Sequence, residues 1–160
     1  MAQGDAGGRT RANEPREVMQ RAFDSARAGS DFVLEAVDAG TPVNAQTDKG
    51  DTLLMLAAYH GHLSVVRGLL QRGANPELAN ARGQTPLMGV AFKGDAAVAR
   101  ALLEGGARVD GADPDGKTPL TWATLFNRTE VIAVLDEFGA DQERLHTLAR
   151  MAASLFSLTK

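Results

Sequence analysis

The sequence predicts an all-α solenoid: a stack of helix–turn–helix units joined by turn-rich tips. Three observations lead there. First, Gly50, Gly83 and Gly116 recur every 33 residues, and the same step relates Thr52, Thr85 and Thr118, then Leu54, Leu87 and Leu120. The Gly-Ala pairs at 73–74, 106–107 and 139–140 keep the same period. Second, the apolar positions after each first helix repeat at helical spacing, as Val65, Val66, Leu69 and Leu70, then Val98, Ala99, Leu102 and Leu103, then Val131, Ile132 and Leu135. Such spacing buries one helix face. Third, Thr85-Pro86 and Thr118-Pro119 place an N-cap before a proline at the first helical position, where its missing N–H costs nothing. A fixed period of this length marks a repeat architecture.

Taken from the N-terminus, residues 1–13 are Gly-rich and lack apolar periodicity, so a disordered tail is expected. Residues 14–47 form a degenerate first repeat. Val18, Met19, Ala22, Phe23 and Ala26 make one helical stripe over Pro15 to Ala28. Phe32, Val33, Ala36 and Val37 make another, over Asp31 to Ala39. Gly40 lies 33 residues before Gly73, in the same frame. Full units are then expected at 48–80, 81–113 and 114–141, about four repeats in all.

In each unit a short helix runs roughly from Thr52 to His60 or its counterpart. Gly61 and Gly94 close it in the left-handed region; Asn127 takes that place in the third unit, as the next most tolerant residue. The second helix stops at Gly73, Gly106 or Gly139. The polar stretch that follows suits an extended β-hairpin tip. Finally, Leu145, Leu148, Ala149, Ala152, Leu155 and Phe156 share one face of a helix within 142–157. That helix is read as the C-terminal cap, because a stacked core must be covered at its end.

The units beginning Lys49-Gly50-Asp51-Thr52-Leu53-Leu54, Arg82-Gly83-Gln84-Thr85-Pro86-Leu87 and Asp115-Gly116-Lys117-Thr118-Pro119-Leu120 resemble the ankyrin repeat. Ala57-Ala58, Gly61-His62, Leu69-Leu70 and Gly73-Ala74 fall in register with that family's pattern. The resemblance covers Thr47 to Asp141. It implies an L-shaped helix–turn–helix with a β-hairpin per repeat, and a likeness to small stand-alone bacterial proteins of this kind. Partners of such stacks usually contact the tips and the first helices lining the concave side. There are departures. The family His after Leu is Met55, Met88 and Thr121 here, which removes the side chain that usually bonds across the stack. Leu53 replaces the family Pro, and His62 becomes Asp95 and Arg128 in the later units.

Composition bounds the function. The chain has 160 residues, a formal net charge of −3 and 44% hydrophobic residues, enough for a real core. The mild negative charge lacks the footprint of a nucleic-acid binder. Without cysteine there is no disulfide scaffold, thiolate zinc site or cysteine nucleophile. No apolar run reaches the length of a membrane span. Met1 to Arg11 has no apolar signal core, so a cytoplasmic protein is expected.

Catalytic and cofactor patterns are weak. His60 and His62 form a His-x-His, but no third ligand lies at useful spacing. His146 sits beside Glu143 on a solvated face. Ser25, Ser30, Ser64, Ser154 and Ser157 lack a nucleophile elbow, and no phosphate-binding glycine loop is present. The expectation is a non-enzyme with no metal and no cofactor.

A protein-binding surface is the leading reading. Its candidate residues are Asp48, Lys49, Asp51, Tyr59 and His60 in the first full unit, and Arg82, Gln84, Phe92 and Lys93 in the second. Asp115, Lys117, Trp122, Leu125 and Phe126 follow in the third. Tyr59, Phe92 and Phe126, with Trp122, would form an aromatic stripe flanked by charges of both signs, the composition of an interface hot spot. The plainer account has Phe126 and Trp122 packed between repeats. The third unit, 114–141, carries a net −3, which suits either solubility or a basic partner. The partner is expected to be a protein, and the chain a monomer. Two alternatives remain: a self-associating regulatory protein, and a small-ligand or enzymatic role built on His60 with Asp51 or Lys93.

Overall fold

A computed structural model of the chain describes residues 14–143 together with His146, Arg150 and Ala153. The expected tail at 1–13 and most of the expected cap at 142–157 lie outside the described residues. Eight helices run through the described part: α1 Glu14–Ala28, α2 Phe32–Asp38, α3 Leu53–Tyr59, α4 Leu63–Gln71, α5 Pro86–Lys93, α6 Ala96–Glu104, α7 Pro119–Leu125 and α8 Thr129–Glu137. They form four pairs in two layers. The first helices stack as α1, α3, α5 and α7, and the second helices as α2, α4, α6 and α8.

Local chemistry sets each start. The Thr52 hydroxyl accepts from the Met55 N–H at 3.0 Å. Thr118 does the same for Thr121, whose own hydroxyl accepts the Thr118 N–H at 3.2 Å. The residue at the departed His position in the third unit thus completes a reciprocal cap. Thr85 holds the cap position without a side-chain bond, and Pro86 fixes the entry angle there. Each first helix closes where expected, and Asn127 is the one non-glycine at positive φ (53°) among the described residues.

The core is one continuous seam. Leu53, Leu54, Leu87 and Leu120 from the inner layer meet Val65, Val66, Val98, Leu102, Val131 and Leu135 from the outer layer, all essentially buried. Each fully buried aliphatic side chain contributes about 1.5–3 kcal/mol. In α1 the stripe is buried only from Ala22 onward, and Val18 is exposed. The cause is length: α1 has 15 residues against 7 in α3, so its first turns overhang its neighbour.

Neighbouring repeats are also tied by polar contacts. His62 Nε2 donates to the carbonyl of Arg27 at 2.7 Å. Two units later, Arg128 Nε donates to the carbonyl of Phe92 at 2.9 Å. Asp95, at the intervening equivalent position, has no hydrogen to donate and instead caps α6 through the Val98 N–H. On the outer face Arg72 makes a two-pronged ion pair with Asp38, both contacts at 2.7 Å.

The tips depart from the expected hairpins. Among the described residues there is no named strand, and the one bridge joins Gln46 to Thr52. Each tip is a tight turn closed by two backbone bonds, such as Asn80 N–H to Gln84 O at 3.0 Å and Gly83 N–H to Asn80 O at 2.9 Å. The reason lies in the side chains. Asn80 Oδ1 accepts the amides of Arg82 and Gln84, and Asp113 Oδ1 those of Asp115 and Lys117. These side chains take the amides that a longer ladder would need.

Candidate functional site

The tips and the inner helices enclose a groove of about 840 Å³ along the concave side. Its floor is apolar: Met55 and Leu56 from α3, Met88 and Gly89 from α5, and Trp122 from α7. Asp48, Lys49, Asp51, Arg82 and Gln84 stand on the tip side, and Tyr59, His60 and Phe92 at the helix ends. A volume in this range suits a side-chain cluster or small ligand rather than a whole protein surface.

The structure therefore gathers nine of the fourteen sequence-derived candidates around one groove: Asp48, Lys49, Asp51, Tyr59, His60, Arg82, Gln84, Phe92 and Trp122. Lys93 stands just outside it. Its ammonium lies 5.0 Å from the centre of the Tyr59 ring, a cation–π contact. Asp115 and Lys117 pair with each other at 3.3 Å on the third tip, beyond the groove lining. Leu125 is the most exposed large apolar residue of the described part, at 64%, and does not line the groove. Phe126 is 41% exposed and touches the groove only through Phe92 and Trp122.

The aromatic rings form two groups instead of one stripe. Phe92 and Phe126 meet edge to face at 4.5 Å, and Phe126 stacks on Trp122 at 6.2 Å. Tyr59 contacts His60 edge to face at 5.5 Å, and His60 stacks near His62 at 6.3 Å. Register does not draw that boundary. Tyr59 and Phe92 occupy equivalent positions yet fall in different groups, whereas Phe126, one residue beyond the next equivalent, Leu125, joins Phe92. One residue turns a helical side chain by about 100°, and the offset leaves Phe126 against both Phe92 and Trp122. Trp122 carries one further feature: its indole Nε1 is buried with no hydrogen-bond partner.

Electrostatics around the groove are uneven. Partial burial, His62, Lys93 and Arg27 together hold the His60 imidazole below its ordinary pKa of 6.5. Asp51 is engaged by Asn80 Nδ2 at 3.1 Å. Lys49 and Arg82 have no ion pair among the described residues. No group of three His, Asp or Glu side chains among the described residues could hold a metal ion. No helix among them is long and apolar enough to cross a membrane.

Met55, Met88 and Gly89 were not among the sequence candidates. The two methionines are 7% and 1% exposed, so their burial hid their role as floor. A signal was available: both replace the polar residue that the resemblance leads one to expect, at a position facing the concave side.

A family model of ankyrin repeats matches residues 54–145 with three copies. The chain belongs to the ankyrin repeat family. A 55-residue segment is 50% identical to a Pseudomonas aeruginosa protein that is itself named as an ankyrin repeat protein. That match covers 34% of this chain and 32% of the relative, so the chain spans about a third of the relative's length. Ankyrin repeats generally serve as protein–protein interaction modules, and proteins of the family are typically non-enzymatic.

Proposed function

We propose that this ankyrin repeat chain is a non-catalytic, cytoplasmic, monomeric module that binds a partner protein through its tips and concave groove. The fourteen residues from Asp48 to Phe126 named above form that surface, with Tyr59, Phe92, Trp122 and Phe126 as its aromatic anchors. No cofactor takes part. Four repeats, at 14–47, 48–80, 81–113 and 114–141, carry the surface as a single domain.

The observation that carries this reading is the groove itself. It combines an apolar floor of rings and methionine sulfurs with a charged rim, the arrangement in which a few buried anchors hold most of the binding energy. Met adds adaptability, since its flexible thioether accommodates varied partner shapes.

The test is affinity capture from a lysate of the source organism, wild type beside a folded Tyr59→Ala/Phe92→Ala/Phe126→Ala variant. A partner recovered by the wild type and lost by the variant is the expected outcome. A partner held equally by both overturns the assignment of the face. A mass that rises with concentration in sedimentation, with no other partner captured, turns the reading to self-association.

A further inference from the structure

Three first helices end alike, and one of them lacks its donor. In each, a carbonyl stands two residues before a left-handed glycine: Arg27 before Gly29, Tyr59 before Gly61 and Phe92 before Gly94. The Arg27 carbonyl accepts from His62 Nε2 at 2.7 Å, and the Phe92 carbonyl from Arg128 Nε at 2.9 Å. Each donor lies across the glycine of the unit before it: a Cβ on Gly29 would strike the His62 ring, and one on Gly94 the Arg128 side chain. Asp95 holds the same place at the middle junction, its Oδ2 lying 3.1 Å from where a Cβ on Gly61 would be. A carboxylate can only accept. The Tyr59 carbonyl therefore receives no hydrogen bond among the described residues. Asp95 Oδ1 takes the Val98 N–H, and Oδ2 has no partner among the described residues.

The middle junction opens to the outside instead. A shallow hollow of about 700 Å³ lies there, bounded by Tyr59, His60, Lys93, Asp95 and Glu130. We propose that this hollow docks an arginine side chain of the partner protein, which supplies the donor that Asp95 cannot. One N–H of the guanidinium goes to the Tyr59 carbonyl and a second to Asp95 Oδ2, a two-pronged contact that a planar fork makes and an ammonium does not. This rests on the protein-binding reading above and adds a contact at the rim, because Tyr59 and His60 border both the groove and the hollow.

The equivalent junctions select the occupant. The molecule fills this position twice from within, once with an imidazole N–H and once with a guanidinium N–H. The position therefore accepts a flat, nitrogen-bearing donor. The two groups left open at the middle junction, the Tyr59 carbonyl and Asp95 Oδ2, are both acceptors, so an anionic side chain is turned away. The cations nearby are already engaged. Arg128 is held by the Phe92 carbonyl and Arg27 by Asp24 at 2.9 Å. The Lys93 ammonium lies over the Tyr59 ring and pairs with neither Asp95 nor Glu130. The His60 imidazole, held below its ordinary pKa of 6.5, adds no charge at neutral pH.

The experiment titrates the isotope-labelled full chain with N-acetyl-arginine methylamide and follows its amide resonances by NMR. The citrulline and lysine counterparts are titrated in parallel. Saturable shifts centred on His60, Gly61 and Asp95 are expected with the arginine probe. Citrulline, which keeps the shape and loses the charge, is expected to bind about tenfold more weakly, the difference between a charged and a neutral hydrogen bond. Asp95→Asn keeps a cap on α6 and is expected to weaken the arginine probe by about the same factor. Asp95→Arg places the donor of the last junction in the middle one and is expected to abolish the shifts. Shifts centred on Met88 and Trp122, equal binding of citrulline, or an Asp95→Arg protein that titrates like the wild type overturns the hollow. So does the absence of any saturable shift. A lysine probe that binds as tightly as arginine overturns the two-pronged contact. The probe needs no partner, so failure here leaves the groove reading to its own capture experiment, and failure of that capture leaves arginine binding at the hollow standing.

Discussion

Arg128 Nε donates to the carbonyl oxygen of Phe92 at 2.9 Å, reaching from the start of α8 to the end of α5. A side chain of one repeat thereby satisfies a helix-end carbonyl of the repeat before it, a group that a helix cannot pair internally. His62 serves the carbonyl of Arg27 in the same way. Because a carbonyl can only accept, His62 carries its proton on Nε2.

These bonds are part-buried and span repeats, so their loss is expected to weaken the stack. Arg128→Ala and His62→Ala are each expected to cost about 1–2 kcal/mol, the range for a buried hydrogen bond left with one unpaired group. Equilibrium denaturation in urea measures it. A cost near zero for both would mean that solvent replaces them freely.

Core and rim are expected to separate cleanly. Leu87 and Leu120 are each 1% exposed, and truncating either to Ala is expected to cost about 2–5 kcal/mol. Tyr59 is 38% exposed, and Tyr59→Ala is expected to cost well under about 2 kcal/mol, the low end for buried large-to-small changes. Thermal or chemical unfolding of the three variants decides it. An unfolded Tyr59→Ala protein would place that ring in the core.

The two helical glycines, Gly68 in α4 and Gly89 in α5, are expected to respond differently. A methyl on Gly68 meets the ends of the flexible, half-buried Leu34 side chain, which has to turn aside, so Gly68→Ala is expected to stay within about 1 kcal/mol of wild type as helix propensity and that displacement offset each other. Gly89→Ala is expected to stabilise by roughly 0.5–1 kcal/mol through helix propensity alone. Destabilisation by Gly89→Ala would show that the Tyr59 contact at 3.4 Å is already at its limit.

His60 makes stability depend on pH in a stated direction. Partial burial, then His62, Lys93 and Arg27, depress its pKa in the folded state below 6.5, while Asp95 and Glu130 border the same shallow hollow. The unfolded chain therefore binds this proton first. Stability from this group is fully present above 6.5 and declines as pH falls through the folded value. Denaturation midpoints are expected to drop between about pH 7.5 and about pH 5.5. His60→Gln is expected to flatten that slope.

Much of this molecule is legible from one period. Once Thr52, Thr85 and Thr118 align, the caps, the helix pairs and the left-handed closures at Gly61, Gly94 and Asn127 follow, because each is decided by residues within a few positions. The concave face was legible in outline for the same reason. Less legible were features set between repeats. Tyr59 and Phe92 share a register yet belong to different ring groups, and periodicity cannot tell equivalent positions apart. The buried Met55 and Met88 look like core in a single repeat and become a floor only when repeats are stacked. The tips were expected as hairpins because their composition marks turns, and composition does not say that Asn80 and Asp113 will take the amides themselves.

The row of tips carries one last consequence. Ala81 donates its N–H to the Lys49 carbonyl at 2.9 Å, tying the second tip to the first. One period on, the same place holds Pro114, which has no N–H to offer and rests its ring against Gly83. Across the first junction the tips share a main-chain bond; across the second the tie is a side chain's, Glu77 Oε1 accepting the Arg108 N–H at 2.8 Å. One junction is therefore secured by backbone that any residue but proline carries, and the next by a single carboxylate that one substitution removes.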